Sequence, residues 1–275
     1  MTFSIRRAAL ATALAVAALV PAISASPMPA AAASSAPVTG SDISWPECRK
    51  GMGIPSRRTE GKPIPASARF LVIGLTNGPG FYPNPCLADQ VAWAKAHHVY
   101  TAAYAMTTYP SAAQLNANRN AGPYRSKDWR NGLWNTGWAQ AQFNIANMRK
   151  AGLASPIVWM DVEPYAVAPW SKSQSANTAV FNGAYNAYRA AGYRVGIYST
   201  RYAWHAMLGG ARYGVPEWHT TGPTSLGTAQ RACNAASIQG GRTVMAQWWT
   251  TLTDFDVVCP SSATKAGLAT YFHKY

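Results

Sequence analysis

Ile157-Val158-Trp159-Met160-Asp161-Val162-Glu163 is the stretch on which the fold turns. Four apolar residues, rich in β-branched and aromatic side chains, end in two acids, so the run reads as a buried strand with carboxylates at its C-terminal end. Residues i and i+2 of a strand project to the same face, which places Asp161 beside Glu163, about 6–7 Å apart at the backbone. Carboxylates that close push each other's pKa values apart, because ionising one disfavours ionising the other. One protonated and one ionised carboxyl is the pairing that acid catalysis needs. Alone, the same pair before Pro164 is equally a solvated strand tip.

Working outward, further strands are expected at 42–45, 70–76, 99–106, 194–199, 216–220, 243–249 and 255–259. Helical spacing lies between several of them. Leu87, Val91 and Ala94 mark one helix. Trp138, Ala141, Ile145 and Met148 mark a second, closed by Gly152, and a third runs from a cap at Ser175 through Phe181, Tyr185 and Tyr188 to Gly192. Strands alternating with helices predict parallel pairing, and this many in one chain point to an α/β fold, a single (β/α)8 TIM-type barrel. Only Thr250-Thr251-Leu252-Thr253 separates the last two strands, too short for a crossover helix, so they are expected to meet as a hairpin and leave the barrel imperfect. An open doubly wound sheet is the competing architecture.

The distribution of acids sharpens the reading. The chain has 10 acidic residues against 24 basic ones. Asp42 with Ser44, and Asp254 with Asp256, repeat the i, i+2 projection of Asp161 and Glu163 at other strand positions. Three acidic strand ends are hard to reconcile with packing, since unpaired buried carboxylates are costly. In a barrel, strand C-termini carry the active site. Trp45, Tyr198, Trp248 and Trp249 fall near those ends, where flat rings either stack on sugars or pack the core.

These residues carry a family resemblance. Gly40-Ser41-Asp42-Ile43-Ser44 resembles the opening G-x-D-x-S strand of glycoside hydrolase family 25 lysozymes, and Val158 to Glu163 their central D-x-E strand. Gly196-Ile197-Tyr198-Ser199-Thr200 is similar to the next strand, which leads into a short helix. Ala246-Gln247-Trp248 with Asp254-Phe255-Asp256 resembles the closing W-Q-Y and V-D-x-N segments. The Asp42-to-Cys48 opening and the cysteines look closest to an exported actinobacterial branch. The resemblance implies a muramidase-type hydrolase of β-1,4 linkages in peptidoglycan. Glu163 would be the general acid. Asp161 would orient the substrate's N-acetyl group or act on a water, and Asp42 and Asp254 would steer protonation. Trp45, Tyr198, Gln247, Trp249 and Asp256 are the expected substrate contacts. Asp256 stands where the family has Asn, and Trp45-Pro46 replaces its His-Trp. A barrel that binds wall glycan without cutting it, or cuts another envelope polysaccharide, is the alternative.

Other chemistries find no support. The histidines His97, His98, His205, His219 and His273 lack H-E-x-x-H spacing, and no G-x-S-x-G, phosphate-loop or dinucleotide motif occurs. No cofactor and no metal are expected. The formal net charge of +14 suits an anionic wall polymer, but the basic residues are scattered in small groups: Arg49-Lys50, Arg57-Arg58, Arg125 with Lys127, and Arg149-Lys150. Nucleic acid is the weaker reading of that charge.

Residues 1–33 read as a secretory signal. Arg6 and Arg7 precede an apolar run over 8–20 that Pro21 ends, with cleavage after Ser24 or Ala33. A disordered leader, 34–39, and a barrel domain, 40–275, follow. Roughly 240 residues then remain for one exported, monomeric domain, without membrane insertion. Cys48, Cys86, Cys233 and Cys259 allow three disulfide pairings, of which Cys48–Cys86 and Cys233–Cys259 is favoured because each closes a moderate loop.

Overall fold

The computed structural model describes residues 36–52, 59–124, 128–251 and 253–275. The expected signal segment and the Arg57-Arg58 and Arg125/Lys127 pairs lie outside the described residues.

Eight strands close into a barrel. They are β1 (Thr39–Ile43), β2 (Phe70–Gly74), β3 (Tyr100–Met106), β4 (Ile157–Asp161), β5 (Arg194–Ser199), β6 (Glu217–Thr220), β7 (Thr243–Trp249) and β8 (Asp254–Val258). Pairing is parallel from β1 through β7. The expected hairpin is present: β8 runs antiparallel to β7 and closes the ring antiparallel to β1. That excludes the open sheet. Because β8 is reversed, its first residue, Asp254, lies at the same end as the C-termini of the other strands.

The helices are α1 (Leu87–Ala96), α2 (Ala112–Asn118), α3 (Trp129–Ala151), α4 (Gln174–Ala190), α5 (Arg201–Leu208), α6 (Leu226–Ala232) and α7 (Lys265–Tyr271). Gly152 caps α3 in the left-handed region, as its position suggested. The cap of α4 is Ser173 rather than Ser175; its hydroxyl accepts from Ala176 N. A short strand, β9 (His273–Lys274), pairs antiparallel with the start of β3, below the point where β4 begins.

Two other expectations need correction. The first strand is 39–43, not 42–45, because the chain turns into a one-turn 3-10 helix at Trp45–Glu47, where Pro46 cannot donate to a ladder. The barrel also starts before Gly40: Val38 is buried and its carbonyl accepts from Val258 N, so the end of the expected leader is already structured.

Strand alternation sorts the core into two layers. Leu71, Ile73, Val158, Met160 and Ile197 face outward against the helices. Phe70, Val72, Ile157, Trp159, Trp218 and Val258 belong to the interior, which Tyr271 and Phe272 help fill. Phe272 packs on Phe70 with centroids 4.7 Å apart, and Trp159 meets Trp218 edge-on at 6.1 Å. A Cβ at Gly196 would overlap the Trp159 ring, so the interior admits that indole only because β5 carries glycine there. The next inward position beyond Trp159 on β4 is Asp161. The site therefore rests on a dry aromatic floor.

Both favoured disulfides form, Cys48–Cys86 and Cys233–Cys259. The first ties the 3-10 turn after β1 to the start of α1 across a sequence separation of 38. Loop-closure entropy assigns such a crosslink about 4 kcal/mol. Replacing both Cys48 and Cys86 by Ala is expected to lower the melting temperature by roughly 10 °C, read by calorimetry; an unchanged transition would mean that packing alone holds this segment.

Candidate active site

One pocket of about 240 Å3 at the C-terminal end of the barrel collects Asp42 from β1, Asp161 from β4 and Asp254 from β8. Glu163 joins them from two residues past the end of β4. The strand stops sooner than the sequence suggested, but Val162 N still donates to Tyr198 O, which keeps the D-x-E segment extended along β5. Tyr198, Gln247 and Trp249 complete the wall, together with Tyr104 and Trp218, which the sequence reading did not single out.

The other expected contacts lie elsewhere. Trp45 is exposed on the 3-10 turn and does not line the pocket. Trp248 is buried on the outer face of β7, stacked on Phe255 at 5.3 Å. Asp256 is wholly buried and accepts from Trp218 Nε1 at 2.8 Å, behind the lining rather than in it. A larger cavity, of about 380 Å3, lies beside α5; Arg201, His205 and Arg212 line it and no carboxylate does.

Hydrogen bonds fix the pocket's polar wall. Gln247 Oε1 accepts from the hydroxyls of Tyr198 (2.8 Å) and Thr220 (2.9 Å), so its amide nitrogen must face the other way. There Nε2 donates to Asp42 Oδ2 at 2.8 Å. Behind the 3-10 turn, Glu47 accepts from Ser44 N at 2.8 Å. This Ser44-x-x-Glu47 spacing is a capping box legible in the sequence, yet its carboxylate also adds charge to the cluster. Asp161 Oδ1 is buried without a hydrogen-bond partner among the described residues.

Six of the 10 acids thus gather at one end of a basic molecule: Asp42, Glu47, Asp161, Glu163, Asp254 and Asp256. None is in an ion pair with arginine among the described residues. Burial, reinforced by Asp254, pushes Asp42 from 3.8 up to about 8. Burial, then Glu163 and Asp42, holds Asp161 well above the usual carboxylate range. Glu163 is raised by burial and by Asp254. Asp254 is raised by burial, with the Lys62 ammonium pulling the other way. Glu47 is pushed up to about 7 by burial. The pocket is a reservoir of carboxyl protons, a state that apolar surroundings and like charges favour together.

A carboxyl whose folded-state pKa exceeds its unfolded value holds its proton more tightly in the folded protein. Its stabilisation is full below the unfolded value and is lost as pH rises through the folded one. Stability is therefore expected to decline between about pH 4 and pH 8, the window spanned by Asp42. Urea midpoints across that range check this, and Asp42→Asn should flatten the slope. A stability that rises through the same window would contradict the protonated cluster.

The model of one protein family, described as lysozyme-like protein 1, matches residues 91–233, more than half of the 275-residue chain. The chain belongs to the lysozyme-like protein 1 family. The matched segment contains Asp161 and Glu163, while Asp42 and Asp254 lie outside it. No curated protein sequence matches the chain. Among solved structures, a muramidase from Acremonium alcalophilum is similar, with a TM-score of 0.55 at 19% identity, over 85% of this chain and 99% of that one. A family 25 glycosyl hydrolase from Bacillus anthracis gives 0.55 at 16% identity, over 86% and 94%. A family GH25 lysozyme from Aspergillus fumigatus gives 0.51 at 16%, over 81% and 94%. At these identities the likeness is one of fold, and it matches the barrel expected for this lysozyme-like chain.

Proposed function

We propose that this lysozyme-like protein is a secreted glycoside hydrolase that cuts the β-1,4 linkages of bacterial peptidoglycan as an N-acetylmuramidase. The observation that carries the reading is the convergence of Asp42, Asp161, Glu163 and Asp254 in one open pocket whose environment retains protons. A binding surface has no use for four adjacent carboxyls held against their own repulsion. Family membership and the barrels of a named muramidase and a named lysozyme support the same class.

Glu163 serves as the general acid. It is only half-buried, so it reaches a ligand, and burial beside Asp254 keeps it protonated where an ordinary glutamate has ionised. It donates that proton to the leaving glycosidic oxygen. Asp161, at the floor, presents its carboxyl to the amide N–H of an N-acetyl group, which orients the sugar over the reacting bond. Asp254 stands beside Glu163, and its charge opposes the early ionisation of that acid. Trp249, at the rim, and Tyr198 supply ring faces for the pyranose.

Export by the leader at 1–33 fits the two disulfides, which persist in oxidising compartments. No helix among the described residues is long and apolar enough to cross a membrane. The partner is wall glycan, met by a monomer, with no nucleic acid involved.

The test is release of new reducing ends from purified peptidoglycan as a function of pH. Because Glu163 must carry a proton and burial beside Asp254 raises its pKa, activity should be fullest at acidic pH and fall as pH rises. Tight wall binding with no reducing ends at any pH would instead make the protein a glycan-binding barrel.

A further inference from the structure

Asp256 is a carboxyl that the proposed reaction does not use, and its surroundings are unusual. It lies one inward position deeper than Asp254 on β8, opposite Gln247 of β7 and Gly40 of β1. It has no solvent exposure. Oδ1 accepts from Trp218 Nε1 at 2.8 Å. Oδ2 meets no N–H or hydroxyl donor among the described residues. The carboxyl of Asp42, a diagonal inward neighbour on β1, lies in hydrogen-bonding contact with that of Asp256.

The donors that could relieve this contact are committed. Gln247 Nε2 serves Asp42 Oδ2, and the two hydroxyls on Gln247 Oε1 prevent the amide from turning over. The groups facing the pair are Tyr104 from β3, Asp161 from β4, Tyr198 from β5, Trp218 from β6, Gln247 from β7, Asp254 from β8 and Glu47 from the 3-10 turn, none of them a cation. Two ionised carboxylates in contact above a tryptophan floor would carry both desolvation and repulsion. A single hydrogen between them removes the second cost. The enclosed member of the pair is the last to lose its hydrogen, since the pocket-facing Asp42, with the Gln247 amide to support a charge, gives up its own near 8.

We propose that Asp256 is a positioning residue that keeps its proton across the working pH range and donates it to Asp42, acting as a neutral donor rather than as an acid. Asp42 is thereby fixed in orientation and left as an acceptor toward the pocket. Burial first, and the neighbouring Asp42 second, hold Asp256 well above the usual carboxylate range, in keeping with that arrangement. The catalytic consequence rests on the hydrolase reading; the location of the proton does not.

Infrared spectroscopy of the intact protein at neutral pH locates the proton directly. Beside the C=O bands of the other protonated carboxyls, which both proteins share, the wild type should show one further band that is absent from Asp256→Asn, whose side chain is isosteric and neutral. Kinetics then read the consequence. Asp256→Ala should lower kcat at least tenfold, and Asp256→Asn should recover most of that loss with the alkaline limb, which Glu163 sets, left in place. Melting temperatures of both variants separate these effects from misfolding. A wild-type spectrum indistinguishable from that of Asp256→Asn would overturn the proposal, as would a well-folded Asn variant no better than Ala. If no form of the protein cleaves peptidoglycan, the hydrolase reading fails while the infrared band still decides where the proton resides.

Discussion

Glu163→Gln is expected to lower peptidoglycan cleavage by a factor of roughly 10² to 10⁴, the range that a positioned general acid contributes. Glutamine keeps the shape and hydrogen-bonding reach of the side chain but has no proton to deliver. The loss should therefore appear in kcat, with retention on insoluble wall little changed. Since glutamine is isosteric with the protonated carboxyl it replaces and cannot ionise beside Asp254, the variant should melt no lower than the wild type. Turnover kinetics alongside a wall-pelleting assay check both halves. A variant that keeps more than about a tenth of wild-type activity would move the acid to another carboxyl, with Asp254 the next candidate by exposure.

The second large effect concerns a carboxylate of the opposite kind. Glu217, on β6, is fully buried, and its two oxygens accept from Ser237 Oγ, from the backbone N–H groups of Ile238, Gln239 and Gly241, and from Gln239 Nε2. His219 Nε2 donates from 3.0 Å. Burial alone would raise this group, but the bonds from His219, Ser237, Gln239 and Ile238 outweigh it and hold it at about 2. Here the folded-state pKa lies below the unfolded one, so the stabilisation is present above about pH 4.5 and is lost as pH falls toward 2. That difference corresponds to about 3 kcal/mol. Glu217→Gln should cost at least that much, because it removes the charge and turns an amide donor toward a ring of donors. A melting temperature lowered by less than about 5 °C would show that the 237–241 loop can be satisfied by water instead.

These two glutamates also mark the limit of what the sequence discloses. Strand positions were readable because apolar runs bounded by turn residues give a strong period-2 signal, and the brevity of 250–253 required the hairpin. The acidic cluster was readable because acids are so scarce that their recurrence at strand ends stands out. Depth was not. Alternation says that Asp254 and Asp256 face inward together, but not that one opens on the pocket while the other is sealed behind Trp218. Glu217 shows only its i, i+2 neighbour His219 in the sequence; its other partners arrive from residues 237–241, some twenty positions away. Helices α2 and α6 are seven residues each, too short to establish a helical period, and β9 exists only because the tail folds back under the barrel. Trp45 looked like a sugar platform because the strand was expected to run through it, and the turn at Pro46 carries it away.

The most direct test of the central claim is mass spectrometry of the soluble fragments that the purified protein releases from peptidoglycan. Fragments with N-acetylmuramic acid at the reducing end, absent when Glu163→Gln replaces the wild type, are the expected result. Fragments ending in reducing N-acetylglucosamine, or a wall left intact by a protein that binds it, would contradict it.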